Sequence, residues 1–285
     1  MVFPSPLRYP GGKKKLSSYL ERIVLENEIQ GGTYIEPFAG GANVALFLLF
    51  KELVNNIIIN DIDRSIYAFW YSVLNNTEEL CQLINDTPVN METWRHQKRV
   101  QIQKDNMDLL QLGFSTFFLN RTNRSGIIRG GVIGGKEQMG DWKMDVRYNK
   151  KDLIQRIRKI ARYAGRIELH NEDAIVFIQG IFDRIDDRTL IYFDPPYYNQ
   201  GAALYANSYT PEDHAELARF IQNLDCKWLL TYDHTDEVIA LYRDTERHVL
   251  SLSYTAQEKT RGNEMIAYSP NLIAPVGKFS SVTIA

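Results

Sequence analysis

The sequence is poor in cysteine and has no long apolar run. Its 285 residues include two cysteines, Cys81 and Cys226, too few and too far apart for a disulfide framework or a cysteine-based metal site. No stretch of about 18 apolar residues is present, and the amino terminus has no apolar segment of signal-peptide length. We therefore expect a soluble protein of a reducing cytoplasm, without a membrane partner.

Two common nucleotide-binding signatures are also missing. No Gly-x-Gly-x-x-Gly follows a predicted strand, and no Gly-Lys-Ser/Thr follows one either. A nicotinamide-dependent oxidoreductase is therefore disfavoured. His, Cys, Asp and Glu residues show no metal-ligand spacing, so we expect no metal.

Charge is unevenly distributed along the chain. The net charge is −2, yet residues 91–170 contain 17 basic and 8 acidic residues, which gives them +9 and leaves −11 for the rest. A basic middle between acidic ends predicts contact with a polyanion. A solvated basic face without a partner is the alternative.

The most informative stretch is TLIYFDPPYY, residues 189–198. Thr189 to Phe193 form an apolar run rich in β-branched and aromatic residues, which predicts a buried strand. Pro195 and Pro196 remove two backbone donors and fix φ, so the strand must end beside Asp194. The carboxyl edge of such a sheet is where open α/β folds bind ligands. The alternative is a strand closed by a rigid turn, with Asp194 as a cap and Tyr197 filling space.

A second pattern lies near the amino terminus. Thr33–Glu36 predicts a strand, the turn with Gly40-Gly41 leads into an apolar helix, and Asn56–Asn60 predicts the next strand. Asp61 lies 20 residues after Gly41, the spacing at which a carboxylate reaches ribose hydroxyls. Acidic residues at both strand ends would repel a phosphate, so a ligand with a ribose and a cationic group fits better. A tight turn followed by a surface aspartate is the alternative.

The region from Ile66 to Ile160 interrupts this α/β pattern. It reads as helices, including one long helix over Met91–Leu112, and then as a flexible glycine-rich segment up to Trp142. Arginines alternate there with polar amides, a composition suited to phosphate contacts and base-edge reading. We interpret the region as an inserted, basic, helical subdomain.

Two further sites each have an open alternative. Asp173 follows the short predicted strand Arg166–His170 and either holds the adenine amine of a bound cofactor or caps the helix Ala174–Ile181. Lys259 and Arg261 lie at the tip between two predicted paired strands, where they either contact phosphates or simply form a hairpin tip.

Taken together, these motifs identify a resemblance that covers nearly the whole chain in order. The chain resembles the Dam-like (alpha-group) N6-adenine-specific DNA methyltransferases. The motifs that carry the resemblance are Tyr9-Pro10-Gly11-Gly12-Lys13, Glu36-Pro37-Phe38-Ala39-Gly40-Gly41, Asn60-Asp61, Leu119-Asn120-Arg121, Asp194-Pro195-Pro196-Tyr197 and Tyr232-Asp233-His234.

The resemblance implies an α/β fold with a Rossmann-like methyltransferase sheet and an inserted helical target-recognition domain. The catalytic domain would comprise residues 1–65 and 161–285, and the DNA-recognition domain residues 66–160. The implied activity is site-specific transfer of a methyl group from S-adenosylmethionine to N6 of a flipped-out adenine in double-stranded DNA. A cognate restriction endonuclease is a further implied partner.

The resemblance also implies roles for individual residues. Catalysis would rest on Asp194, Pro195 and Tyr197: the first two would accept hydrogen bonds from the adenine amine, and the tyrosine would stack on the base. The cofactor contacts would be Tyr9, Lys13, Phe38, Gly40, Asp61, Asp173 and Asp194. The DNA contacts would be Arg121, Asn123, Arg124, Ser125 and Arg129, with Lys259 and Arg261 from the hairpin tip.

The chain departs from the family pattern in two places. Family members often have Gly-x-Gly in the cofactor turn, where this chain has Gly40-Gly41-Ala42. The recognition stretch around Arg124-Ser125 differs from that of enzymes that read GATC, so this specificity is not carried over. Two alternatives stay open at this stage. One is an N4-cytosine DNA methyltransferase or an RNA amino-methyltransferase, and the other is a catalytically silent DNA-binding protein on the same fold.

Overall fold

The structure is a computed structural model that describes residues 4–8, 16–198, 209–252, 262–279 and 282–284. Its contacts divide the chain into two compact units. We call Met1–Gly12 with Asp61–Asn171 the helical unit, and Lys13–Asn60 with Glu172–Ala285 the sheet unit. The fold class is mixed α/β.

Helices and strands alternate at both ends of the chain, and helices dominate the middle. The helices are α1 (Ser17–Glu26), α2 (Asn43–Phe50), α3 (Arg64–Asn75), α4 (Thr77–Asp86), α5 (Met91–Ile102), α6 (Leu109–Thr122), α7 (Lys150–Ala161), α8 (Ala174–Ile181), α9 (Pro211–Gln222) and α10 (Asp236–Leu241). The strands are β1 (Thr33–Glu36), β2 (Asn56–Asn60), β3 (Ile167–His170), β4 (Thr189–Phe193), β5 (Lys227–Asp233), β6 (Arg247–Leu252), β7 (Gly262–Tyr268), β8 (Gly277–Phe279) and β9 (Val282–Ile284).

The strands of the sheet unit run in the order β2-β1-β4-β5-β7-β6-β9-β8. The pairs β1–β2, β1–β4 and β4–β5 are parallel. From β5 onward the pairs are antiparallel. Parallel neighbours end at the same edge of a sheet, so the turns after β1 and β4 both leave from the carboxyl edge.

Burial explains why the strand sequences are so apolar. All five residues of β4 are buried, as the unbroken run Thr189–Phe193 predicts. Ile35, Ile191 and Leu230 share one core cluster with apolar residues of α8, α9 and α10. The start of α9 has a capping box, in which Thr210 and Asp213 bond each other's backbone. These strands and helices confirm the predicted α/β pattern of the two chain ends.

The helical unit is held by close packing of α3 against α6. Phe69 and Phe117 stack with ring centroids 6.1 Å apart. Gly113 allows this approach, because a Cβ there would lie 2.5 Å from the carbonyl oxygen of Ala68. No helix in the described part of the chain has both the length and the apolar character to cross a membrane.

The prediction of one helix over Met91–Leu112 is wrong. The segment contains all of α5, a short 3-10 turn at Lys104–Asn106 and the start of α6. Asp108 caps α6 by accepting the N–H of Gln111 at 2.9 Å. Arg64 fixes the break by donating to the carbonyls of Lys104 and Met107. The helical spacing of apolar residues continued through the break, so nothing in that spacing indicated it. The contact of Arg64 with the break is tertiary and could not be predicted from local sequence.

The contact-based units have different bounds from the predicted domains. The helical unit includes residues 1–12, 61–65 and 161–171, which the sequence assigned to the catalytic domain. Asn171 contributes to this difference, because its amide donates to the carbonyls of Asp61 and Ile62 at 2.7 and 3.1 Å.

Candidate active site

The predicted catalytic corner follows β4 directly. Asp194 is partly buried, and its Oδ1 accepts the hydroxyl of Thr231 at 3.0 Å. The Thr231 oxygen lies 2.7 Å from the hydroxyl of Tyr192. Because an ionised carboxylate only accepts, the chain of donors runs from Tyr192 to Thr231 to Asp194. The carboxylate is therefore held in one orientation, beside a buried Pro195.

The two tyrosines of the motif are fixed from β5 and β7. The hydroxyl of Tyr197 donates to Oε1 of Glu264 at 2.9 Å. The backbone N–H of Tyr198 donates to Oδ1 of Asp233 at 3.1 Å. The corner is thus anchored at its first residue and at its last two.

A buried histidine lies beneath the motif. His214 on α9 is 1% exposed, and its Nδ1 hydrogen-bonds with the hydroxyl of Tyr232. Its ring centroid lies 4.7 Å from that of Tyr198 and 5.4 Å from that of Tyr209. Burial lowers the pKa of His214. The His214 ring packs against the Tyr198 ring and helps to hold it in place.

The turn after β1 places two residues in left-handed backbone conformations. Gly40 and Ala42 both have positive φ, 47° and 46°. Ala42 therefore occupies the left-handed conformation that a glycine would adopt without strain. Phe38 packs against the core of the unit, with its ring 6.1 Å from that of Tyr209.

Glu36 and Asn60 organise this turn. Glu36 is 4% exposed and accepts the N–H of Ala45 at 3.1 Å. The pKa of Glu36 is raised to about 8, chiefly by burial and to a smaller extent by nearby Asp194. The amide of Asn60 donates to the carbonyls of Pro37 and Glu172, both at 3.0 Å.

The two other predicted cofactor carboxylates differ in their local roles. Asp61 belongs to the helical unit, is 9% exposed and accepts the N–H of Asp63 at 2.9 Å. Asp173 caps α8, and its Oδ1 accepts the N–H groups of Ile175 and Val176 at 2.9 and 3.4 Å. The structure thus shows the capping role that the sequence left open, and the cofactor roles of both residues stay predictions.

The residues of the helical unit that are predicted to contact DNA differ in their exposure to solvent. Arg124, Ser125 and Arg129 are exposed, whereas Asn123 is fully buried and Arg121 is 9% exposed. Asn123 accepts the indole N–H of Trp94 at 2.7 Å and donates to two loop carbonyls at 2.9 Å each. Its side-chain amide is therefore committed to holding the loop, which leaves it unsuited to reading a base.

Arg121 lies in the last turn of α6 among other basic groups. Its pKa is lowered to about 10, chiefly by burial and to a smaller extent by the guanidinium groups of Arg156 and Arg8. Nε of Arg121, Nη1 of Arg8 and Nε of Arg156 are buried without a hydrogen-bond partner among the described residues. Arg156 forms an ion pair with Asp152 at 2.7 Å. The cluster is rich in donors and poor in acceptors, as an anion-binding region would be.

Four predicted residues lie outside the part of the chain that the structure describes. Tyr9 and Lys13 were predicted to bind the cofactor, and Lys259 and Arg261 to bind DNA.

Sequence reasoning missed the residues that hold the motif in place, namely Thr231, Glu264 and His214. Glu264 carries a visible signal, since it is an acidic residue that opens the apolar run Met265–Tyr268. Thr231 and His214 carry none, because a threonine in a strand and a histidine in a helix are ordinary. Within the described ranges, no three His, Cys, Asp or Glu side chains are grouped to hold a metal ion.

Comparison of the sequence with known proteins identifies the family to which the chain is similar. The family model for the D12 class N6 adenine-specific DNA methyltransferases matches residues 9–256. The type II methyltransferase M.MjaIII of Methanocaldococcus jannaschii is 24% identical over 240 residues, which cover 77% of this chain and 79% of that protein. The DNA adenine methylase of Escherichia coli K12 is 24% identical, with 95% of this chain and 98% of that protein covered.

Other similarities are comparable or weaker. The type II methyltransferase M1.LlaDCHI of Lactococcus lactis is 24% identical over 90% of both chains. Among solved structures, protein LPL1258 of Legionella pneumophila aligns with 90% of this chain and 86% of its own at 9% identity. Its TM-score of 0.33 is too low to support a conclusion.

Proposed function

The chain belongs to the D12 class of N6-adenine-specific DNA methyltransferases, and we propose that it methylates adenine in double-stranded DNA with S-adenosylmethionine as the methyl donor. The observation that carries this proposal is the rigid Asp194-Pro195-Pro196-Tyr197 corner, anchored at Asp194 and Tyr197. We further propose that the sheet unit is a Rossmann-like catalytic domain and that the helical unit recognises the target.

The chemistry of the turn after β1 fits the proposed cofactor. Glu36 and Asp194 lie at the carboxyl ends of adjacent parallel strands. The Asp194 carboxylate would favour a cationic ligand over a phosphate, and a bound cation would in turn favour the ionised form of Glu36. When bound, S-adenosylmethionine supplies a methyl group already activated by its sulfonium charge. The residues proposed to hold it are Tyr9, Lys13, Phe38, Gly40, Asp61 and Asp173, together with Asp194.

Asp194 and Pro195 would prepare the adenine amine for attack. The N6 lone pair is delocalised into the ring, so the amine is a poor nucleophile. The Asp194 carboxylate and the Pro195 carbonyl each accept one N6–H hydrogen bond, which favours a pyramidal nitrogen with its lone pair available. The same two acceptors stabilise the positive charge that develops on the nitrogen. The hydrogen bond from Thr231 would keep the Asp194 carboxylate oriented towards the amine during the transfer.

Tyr197 would receive the base after it leaves the duplex. Flipping a base out costs a few kcal/mol, and stacking on an aromatic ring recovers about 1–3 kcal/mol. The Tyr197 ring is partly exposed, and its hydroxyl is bonded to Glu264, so the ring is held ready for stacking.

The helical unit would supply the DNA contacts. Arg124, Ser125 and Arg129 are exposed on a braced loop and suit phosphate or base-edge contacts. Arg121 and Arg8 have buried donors without partners among the described residues, which phosphate oxygens would satisfy. Asn123 acts by holding this loop.

We propose that the enzyme protects DNA beside a cognate restriction endonuclease. Two of the compared relatives are named type II methyltransferases. The Escherichia coli relative is named a DNA adenine methylase, and a solitary methylase is the second candidate role.

Replacement of Asp194 tests the proposed catalytic site. We expect Asp194→Ala to abolish tritium transfer from labelled S-adenosylmethionine to DNA while cofactor binding changes little. Asp244→Ala, an exposed aspartate of the same unit, is the matched control and should keep full activity. A digest of the product DNA should contain N6-methyladenine. Full turnover in Asp194→Ala would refute the assignment.

A further inference from the structure

Glu264 is a buried carboxylate directed at the proposed stacking tyrosine. It is 6% exposed on β7 and accepts the hydroxyl of Tyr197 at 2.9 Å. Buried carboxylates are rare unless they are hydrogen-bonded, so this contact helps to explain why a charged residue is tolerated in the strand.

The strand register links this contact to the rest of the motif. Glu264 pairs with Asp233 across β5 and β7. Asp233 accepts the N–H of Tyr198 at 3.1 Å. Two facing carboxylates therefore hold two consecutive residues of the motif, one through a side chain and the other through the backbone.

Stacking on a base uses only the face of an aromatic ring, so stacking alone does not explain why residue 197 carries a hydroxyl group. A phenylalanine would stack as well. A phenol bonded to a buried carboxylate loses its freedom to swing about χ1, because its oxygen and its Cβ are both held and together they fix the long axis of the ring. A ring held in one place pre-organises the surface on which a flipped base must lie.

We propose that Glu264 is a positioning residue of the methyl-transfer reaction, which holds the Tyr197 ring in place so that the target adenine stacks in line for attack. The role rests on the proposed function of the Asp194 corner. It concerns the placement of the base after flipping, and the carboxylate itself touches neither substrate.

A double-mutant cycle on Tyr197 and Glu264 tests this role. We expect Tyr197→Phe and Glu264→Leu each to lower the single-turnover methylation rate by about 10- to 100-fold, the value of one charge-assisted hydrogen bond. The double variant should be no slower than the slower single variant, because both changes remove the same bond. KM for DNA should change little, since the duplex is bound by other residues.

Two variants separate positioning from simple loss of structure. Glu264→Gln keeps an acceptor oxygen and should restore most of the rate. Ile266→Val alters a fully buried residue two positions along the same strand and should leave the rate unchanged. With 2-aminopurine at the target position, flipping should still raise the fluorescence. Tyr197→Phe and Glu264→Leu should give a brighter signal than wild type, because the flipped base is less firmly stacked.

Each failure has its own meaning. An Asp194→Ala enzyme with full activity would overturn the proposed function. An inactive Asp194→Ala enzyme with additive effects in the cycle, or with Glu264→Gln as slow as Glu264→Leu, would overturn only the role of Glu264. If Glu264→Leu does not fold, Tyr197→Phe decides alone, since it removes only the donor, and an unchanged rate would refute the proposal.

Discussion

At the residue scale, Ala42 has an unusual backbone conformation. It lies just before α2 with φ 46° and ψ 35°, in the left-handed region, and its side chain is buried. This conformation costs an L-residue roughly 1–2 kcal/mol relative to the right-handed one, and glycine avoids most of that cost. The departure from the Gly-x-Gly pattern of the family therefore keeps the turn and strains it.

We expect Ala42→Gly to raise the free energy of unfolding by about 1 kcal/mol, because glycine relieves the left-handed strain. Urea denaturation of both proteins measures the difference. The matched control is Ala45→Gly within α2, which should destabilise the protein by roughly 0.5–1 kcal/mol. A destabilised Ala42→Gly protein would show that the turn is not strained.

Glu36 gives a prediction about pH. Burial raises its folded-state pKa to about 8, whereas an unfolded glutamate titrates near 4.5. Between these values the folded chain holds one proton more than the unfolded chain, so stability falls as pH rises through this window. Glu36→Gln keeps the acceptor for Ala45 and removes the titration.

We expect Glu36→Gln to gain stability over wild type from pH 5 to pH 8, by at most about 1.4 kcal/mol per pH unit. Thermal melts of both proteins across this range measure the gain. Glu237→Gln, an exposed site in the same unit, should show no such trend. A stability difference that stays constant with pH would contradict the buried, protonated state of Glu36.

At the element scale, the loop after α6 is held by neighbouring elements as well as by its own Asn123. Trp94 of α5 bonds Asn123, and Lys98 donates to the carbonyls of Ile128 and Gly130. Asn120 donates to the carbonyls of Arg8 and Gly126 at 2.6 and 2.9 Å. The exposed arginines of the loop are thus displayed on a braced support, which would lower the entropy lost if the loop binds DNA as proposed.

Gly126 and Gly131 form a matched pair in this loop. Gly126 has φ 79°, and a Cβ there would lie 2.2 Å from the carbonyl oxygen of Arg8. A Cβ at Gly131 would have nothing within 4 Å. We expect Gly126→Ala to weaken DNA binding at least tenfold because the loop must shift, while Gly131→Ala stays near wild type. Fluorescence anisotropy with a labelled duplex measures both, and equal affinities would argue against a rigid loop.

At the scale of the whole molecule, charge is divided between the two regions of the chain. Residues 91–170 have a net charge of +9 although the protein as a whole has −2. A concentration of basic residues in the helical unit would give the proposed binding to the phosphate backbone a steep dependence on salt. The acidic remainder would add little to that binding.

We expect the slope of log Kd for DNA against log salt to fall by about one unit in Arg124→Ala and in Arg129→Ala, if each neutralises one phosphate. Anisotropy titrations from 50 to 200 mM salt measure the slope. Arg219→Ala, on α9 of the sheet unit, is the control and should leave it unchanged. Slopes that do not change would remove these two residues from the phosphate contacts.

Much of this protein could be predicted from local sequence. The strands β1, β2 and β4 and the family motifs were all identified, and the capped start of α9 is as readable, because each is determined by neighbouring residues. Apolar runs require burial, consecutive prolines end a strand, and Thr-Pro-x-Asp satisfies the free N–H groups of a helix start. The family and its adenine-specific DNA methyltransferase activity likewise follow from short motifs in a fixed order.

Only the tertiary structure determined which side chains are available for the proposed chemistry. Arg121 and Asn123 have the same polar character in the sequence as Arg124 and Arg129, yet the fold buries the first two and exposes the others. Thr231 hydrogen-bonds to Asp194 and Glu264 to Tyr197, because strand pairing brings these distant residues together. Burial and hydrogen bonding depend on contacts between residues far apart in the chain, and no local pattern records them.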